Sequence, residues 1–349
     1  MFEQCSTVLP WLRLRTKSRH GAQQQGASGP ISLPDTSQTR EIRARAGWHK
    51  SCNPDSTPCH HPEAPVIAMP IVDAALMLLA LLAAGAIAGL SAGLFGVGGG
   101  FVAVPALLLV FSTLLPTSTH ELHVAIGTSL ATIIVTSWRA VDAHRHRGSV
   151  DFGILRDWAP WLTLGVVGGI GVAAVTNTST LMLVFASGVL LYAFYFLRPE
   201  FVVRRERHYS FPAGVGRAAL ASGLGGFSAL LGIGGGTPFV VTMVVCGRSV
   251  HEAVATAAGV GFLIAVPGAI GFAVLGQGIE GLPPGSVGFV NLPAFAVISA
   301  VSVFTAPLGA RLAHALNELH LRKAFGIYLL VTSLHMYNKY LTSQGWWSG

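Results

Sequence analysis

The sequence predicts an all-α polytopic membrane protein made of two inverted repeats. Each repeat holds about five helical segments, with broken or re-entrant helices at glycine-rich motifs. Three observations carry this expectation. The 349-residue chain is 52% apolar and only 11% charged, with a mean hydropathy of +0.59, whereas a soluble domain carries about 25% charged residues. Several apolar runs exceed the ~18 residues that suffice to cross a bilayer. One short stretch also occurs twice, as Gly89-Leu-Ser-Ala-Gly-Leu-Phe-Gly-Val-Gly-Gly-Gly-Phe101 and Gly225-Gly-Phe-Ser-Ala-Leu-Leu-Gly-Ile-Gly-Gly-Gly-Thr237.

Taken in order, residues 1–68 stand apart. They are polar, rich in Gln, Ser, Pro and Arg, and lack helical apolar periodicity, so the expectation is a disordered extension. Met69 begins a typical membrane segment, and a mis-assigned start is the alternative account. Cys52, Cys59, His60 and His61 match no standard zinc spacing. The first repeat, residues 69–200, is expected to span at about 71–95, 99–115, 122–141, 159–176 and 180–197, with a basic loop from Arg139 to Arg156. Residues 201–210 form a basic cytoplasmic linker between Arg198 and Arg217. The second repeat, 211–349, is expected to span at about 213–231, 237–247, 252–275, 292–313 and 321–341. At 1.5 Å per residue the 237–247 piece reaches only ~16 Å, about half the hydrocarbon core, so it is a half-helix or part of a re-entrant element.

The glycine clusters, Gly96, Gly98, Gly99, Gly100 and Gly232, Gly234, Gly235, Gly236, interrupt these apolar runs. Each glycine costs up to ~1 kcal/mol in a helix relative to Ala, so a cluster breaks the helix. Broken backbone at membrane depth is tolerated only inside protein or beside a wet cavity. Paired interruptions in two halves point to a transporter's binding site. With Gly96 set on Gly232, His123-Val-Ala-Ile-Gly-Thr-Ser129 falls on His251-Glu-Ala-Val-Ala-Thr-Ala257, and Gly169, Leu181 and Phe185 fall on Gly309, Leu321 and Phe325. An odd number of segments per half inverts the second half. With the Arg198–Arg217 loop cytoplasmic, 13 of the 14 Lys/Arg beyond residue 70 lie inside and only Lys339 outside, as the positive-inside rule requires. Eight and ten crossings satisfy this count equally.

With these residues in hand, the chain resembles the TauE/SafE sulfite exporter family over about 70–341. The resemblance rests on the first glycine motif with Pro105, on Ala125-Ile-Gly-Thr-Ser129 and on His144 to Arg147. In the second half it rests on Gly232-Ile-Gly-Gly-Gly236, Ala253-Val-Ala-Thr256, Pro267 and Pro307-Leu-Gly-Ala-Arg-Leu312. Ala257 stands where the first half has Ser129, and Val241 where it has Pro105. The resemblance implies export of a small sulfur-containing anion, such as sulfite or a sulfonate.

An anion at membrane depth needs hydrogen-bond donors. Breaks at glycine free backbone N–H groups and admit close approach, and the helix that follows turns its positive end to the spot. Gly96, Gly98, Gly99, Gly100, Thr128, Ser129, Gly232, Gly234, Gly235, Gly236 and Thr256 are therefore the expected substrate-binding residues. His123 and His251, matched between repeats, are candidates for proton coupling, with an interfacial position as the plain alternative. Arg139 and Arg311 are candidates for an inner-mouth charge, with topology anchoring as the alternative. Gly85/Gly89/Gly93 and Gly165/Gly169 read instead as close helix packing. The expected partners are a small anionic solute and the lipid bilayer, not nucleic acid, and a homodimer is left open. No cofactor or metal is expected, and no catalytic residue, since residues 70–349 hold no nucleophile–base grouping, metal cluster or ATP-binding loop. The function expected is alternating-access export across the cytoplasmic membrane. A passive anion channel and a membrane-embedded enzyme are the competing classes.

Overall fold

The structure is a computed structural model that describes residues 71–95, 99–114, 120–145, 148–198, 211–315 and 318–344. The expected N-terminal extension, Gly96, Gly98 and the linker 201–210 lie outside the described residues. Among the described residues there are ten helices: α1 (Ile71–Phe95), α2 (Gly100–Leu114), α3 (Glu121–Arg145), α4 (Phe152–Val175), α5 (Thr178–Leu197), α6 (Gly214–Leu230), α7 (Gly236–Val245), α8 (Val250–Leu275), α9 (Leu292–Ala315) and α10 (Glu318–Ser343). A two-residue hairpin, β1 (Ser286–Val287) and β2 (Val290–Asn291), precedes α9 and pairs antiparallel, Ser286 with Asn291 and Val287 with Val290.

Six of these helices are long and apolar enough to cross a membrane, and the two helices that follow the glycine clusters are short apolar pieces. This is a multi-pass α-helical membrane protein. Its outer faces agree: Leu164, Val167 and Val172 on α4 are each at least half exposed, a surface that only lipid would cover without cost. Helix limits fall within a few residues of the expected spans except around 139–156. There α3 runs on to Arg145, and α4 begins at Phe152, seven residues before its apolar run. The cause is a cap: Asp151 accepts a hydrogen bond from the Ile154 N–H at 3.0 Å, which pays for starting the helix among polar residues.

Small residues decide how the helices pair. On α4, a Cβ on Gly165 would overlap the Ser222 carbonyl of α6, and one on Gly169 would stand 2.6 Å from the Gly226 oxygen. With the Asp157–Arg217 ion pair at 2.6 Å, these contacts run α4 and α6 side by side in the same direction. On α1, a Cβ on Gly85 would meet Ile298 and Val301 of α9, and one on Gly89 would meet Ser302. Ser302 donates to the Gly85 carbonyl at 3.0 Å, and α1 and α9 also run in the same direction. The central helices α3 and α8 cross in opposite directions, Gly127 against Phe272, Leu130 against Gly268 and Ser137 against Gly261.

Two threonines link the halves reciprocally. The Thr128 hydroxyl on α3 accepts the Asn291 N–H at 2.9 Å, where Asn291 caps α9 by accepting from Ala294. The Thr256 hydroxyl on α8 accepts the Asp151 N–H at 3.0 Å, at the cap of α4. Thus each central helix grips the start of a helix belonging to the other half of the sequence.

Two predictions follow from these contacts. Gly165→Val should lower the thermal unfolding temperature of the purified protein, because overpacking costs about 1–3 kcal/mol or more. Gly168→Ala, with nothing within 4 Å of the added methyl, should not lower it and should raise it slightly by helix propensity. Thr256→Val should destabilise by about 1–3 kcal/mol by orphaning the Asp151 N–H; unfolding at the wild-type temperature would show that the bond is not needed.

Candidate functional site

The second glycine cluster shows how the chain stops one helix and starts another within a few residues. At the end of α6 the Gly232 N–H donates to the Ala229 carbonyl at 3.2 Å and the Ile233 N–H to the Ser228 carbonyl at 3.0 Å. Gly232 adopts a left-handed φ of +63°. This is a Schellman closure, which satisfies carbonyls that a helix end leaves without partners. Gly235 turns left-handed again, at φ +64°, and serves as the cap of α7 with no side-chain hydrogen bond to it. Only glycine takes both turns without strain. In the first half Gly99 has the same left-handed turn, at φ +73°, and α2 begins at the next residue.

The two breaks meet. A Cβ on Gly100 would stand 2.6 Å from the Gly232 carbonyl oxygen and 3.2 Å from the Ile233 Cα. Ser129 on α3 donates its hydroxyl to that same Gly232 oxygen at 3.0 Å. A Cβ on Gly234 would stand 3.2 Å from the Gly261 Cα of α8. The breaks therefore lie against each other and against both central helices, with Gly100, Ser129 and Gly232 through Gly236 all buried.

The other expected residues distribute as follows. Thr128 and Thr256 are fully buried, and their hydroxyls hold the Asn291 and Asp151 N–H groups. Each therefore accepts at a helix start and keeps its own hydroxyl hydrogen to donate. His123 is buried in the first turn of α3, with its Nε2 3.4 Å from the Ala173 carbonyl and its ring against Phe289 and His120. Arg139 lies exposed near the end of α3. Gly96 and Gly98, and the side chains of His251 and Arg311, lie outside what the structure describes.

Sequence reasoning missed two hydroxyls at the second break. Ser228 and Thr237 are 1% and 4% exposed, and neither hydroxyl has a hydrogen-bond partner among the described residues. A buried hydroxyl without a partner costs about 1–3 kcal/mol. Thr237 was visible as the first polar residue after the glycine run, but nothing in the sequence distinguished it from an ordinary helix-start threonine. Asp151 and Asn291 were also legible in principle, each a capping residue three positions before the N–H it accepts. Among the described residues no cluster of His, Cys, Asp and Glu is arranged to hold a metal ion.

Comparison with known proteins agrees with this architecture. The chain is 31% identical over 268 residues to a "Probable membrane transporter protein" of Haemophilus influenzae, covering 75% of this chain and 98% of that one. It is 25% identical over 271 residues to a protein of the same description from Methanocaldococcus jannaschii, covering 75% and 96%. No solved structure is a significant match. The family model described as "Sulfite exporter TauE/SafE" matches residues 81–336. The chain, a membrane transporter with its two glycine breaks in contact, belongs to the TauE/SafE sulfite exporter family.

Proposed function

We propose that this transporter exports a small anion, sulfite or an organic sulfonate, through a path formed where the two glycine breaks meet. The observation that carries the reading is the contact of Gly100 with the Gly232 carbonyl, closed on one side by Ser129. Helix starts that offer bare amides at membrane depth favour an anion over a cation. Gly99, Gly100, Gly232 to Gly236 and Ser129 form the path. Thr128 and Thr256 serve it by fixing the helix starts that frame it.

The two halves are inverted repeats that rock about this point, giving access from one side and then the other. The reciprocal threonine grips, the matched α1–α9 and α4–α6 pairings and the oppositely running α3 and α8 support that arrangement. Ion pairs near opposite ends of α3 are suited to mark the two access states: Lys339 with Glu121 at 3.1 Å, and Arg248 with Glu252 at 2.8 Å and Asp151 at 3.8 Å. The basic loops face the cytoplasm of the plasma membrane. Arg139 and Arg311 draw anions to the inner mouth, and His123 and His251 are the coupling candidates if protons drive export.

Flux of sulfite, sulfate, sulfoacetate and taurine in reconstituted liposomes at two pH values tests the reading. Overpacking costs about 1–3 kcal/mol, and each ~1.4 kcal/mol is tenfold, so Gly100→Ala should slow flux by roughly tenfold. Gly168→Ala should match wild type. Wild-type flux in both Gly100→Ala and Ser129→Ala would put the path elsewhere.

A further inference from the structure

The loops that lead into α4 and α9 are built to one plan and differ at one side chain. At the spacing that sets Gly169 on Gly309, Gly148-Ser149-Val150-Asp151 falls on Gly288-Phe289-Val290-Asn291. The backbone repeats as well. Gly148 and Gly288 both turn left-handed, at φ +66° and +55°, and Asp151 and Asn291 each cap the helix that follows. Each cap gives its own N–H to a threonine on the central helix of the other half. Within that shared frame, Phe289 stands where the first half has Ser149.

The two loops are seated differently. Gly288 and Phe289 are wedged between α3 and α8: a Cβ on Gly288 would overlap the Ala273 carbonyl, and one on Gly127 would overlap the Phe289 carbonyl. The Phe289 N–H donates to the Phe272 carbonyl at 3.1 Å. Phe289 is 2% exposed, and its ring packs against those of His123 and His120, with centroids 5.0 and 5.5 Å away. His123 lies about one helical turn before Ile126, whose Cα is 3.1 Å from where a Cβ on Gly232 would sit. The Phe289 ring therefore fills the protein one turn away from the second break. At the other end of α3, Gly148 is exposed with nothing within 4 Å of an added Cβ, and Ser149 and Val150 are only half-buried. What crosses that end is ionic. Arg248 reaches Glu252 at 2.8 Å and Asp151 at 3.8 Å, with all three side chains more than a quarter exposed. Ion pairs so exposed add little, whereas a buried aromatic side chain is a strong hold.

We propose that Phe289 is the gate of the transport path at the end where α3 starts, and that it is closed in this structure. The Asp151 end, with Ser149 in place of an aromatic plug, is the end that opens readily. Opening the Phe289 end means lifting the hairpin tip and drawing the ring off His120 and His123. Opening the Asp151 end breaks only solvated ion pairs. In the orientation proposed above the Phe289 end faces outward, so this is the state that takes up an anion from the cytoplasm. The gate rests on the transport reading above and adds to it the side chain that holds the anion back before release. A ring that served only to pin the hairpin would, once truncated, loosen both ends alike.

The test reads access to Ser129→Cys, beside Gly232, in the full chain with Cys5, Cys52, Cys59 and Cys246 changed to Ser. The probe is a membrane-impermeant methanethiosulfonate that carries a sulfonate, added to right-side-out and to inside-out membrane vesicles. Before any further change the cysteine should react at least about tenfold faster from the Asp151 side than from the Phe289 side. Phe289→Ala should raise the rate from the Phe289 side by roughly tenfold or more, since truncating a buried Phe removes packing worth more than that factor. The rate from the Asp151 side should stay within about twofold, as should both rates in Ser149→Ala. Phe289→Leu keeps most of the packing and should give a rise of about threefold, which answers the question if the alanine variant does not fold. An unchanged rate from the Phe289 side in the alanine and leucine variants, equal rises from both sides, or faster reaction from the Phe289 side at the outset overturns the proposal. Flux in the same vesicles separates the gate from the reading beneath it. Labelling as expected without flux of sulfite or any sulfonate would sink the anion reading and leave the gate standing. Sulfite flux with labelling indifferent to Phe289 would do the reverse.

Discussion

Backbone N–H and C=O groups have no water to turn to inside a bilayer, and every one left without a partner costs several kcal/mol. A membrane helix that stops half way must therefore close its own end. The interruption from Leu231 to Gly235 does so within five residues. Two α6 carbonyls are taken by the Gly232 and Ile233 amides, and the Gly232 carbonyl by Ser129 from another helix. What the segment cannot satisfy from within is the first turn of α7, where Pro238 also removes a donor. The break thus leaves the positive end of that short helix buried and without acceptors inside its own helix.

Glycine does three separate jobs around this break. Gly99, Gly232 and Gly235 take left-handed turns that a side chain would strain. Gly100 and Gly234 are needed for proximity, since a Cβ on either would press on backbone from another segment. Gly85, Gly89, Gly165 and Gly169 lie in continuous helix and let a neighbouring helix approach to backbone contact, which is how membrane helices pair where hydrophobicity offers no contrast with lipid. The jobs depend on one another. Without the tight α4–α6 seam, the end of α6 would not be held where Gly100 can meet Gly232.

Much of this was legible in the sequence because membrane helices obey length and polarity so strictly. The spans, the half-length of α7 and the breaks at the two glycine clusters could be read from apolar runs and clustered glycines. Spaced and consecutive glycines could also be told apart by their different uses. What could not be read from the sequence were the long-range polar contacts. The periodicity of α8 says that Thr256 is buried, but not that its hydroxyl faces the Asp151 amide of a distant segment. For the same reason the sequence did not show that the Thr128 and Thr256 hydroxyls accept the Asn291 and Asp151 N–H groups. The start of α4 was set by a cap rather than by hydropathy, so an apolar window placed it too late.

If the two halves are inverted repeats as proposed, the departure of Ala257 from Ser129 has an energetic consequence. Ser129 ties α3 to the Gly232 carbonyl, whereas Ala257, its counterpart, has no hydroxyl with which to tie α8 to the first break. Perfectly matched halves would make the inward-open and outward-open arrangements equal in energy apart from membrane potential and substrate. One neutral hydrogen bond is worth about 0.5–1.5 kcal/mol net, which corresponds to a population ratio of roughly two- to tenfold. If the halves rock as proposed, the access state that keeps the Ser129–Gly232 bond is the resting state by that factor. An exporter gains from such a bias only when substrate itself reverses it, and an anion in the proposed path at the α7 cap, Gly235, would lie three residues from Gly232, close enough to compete for that stretch of backbone. On that proposal, the chemical inequality of the two halves would give the frame a preferred direction of filling.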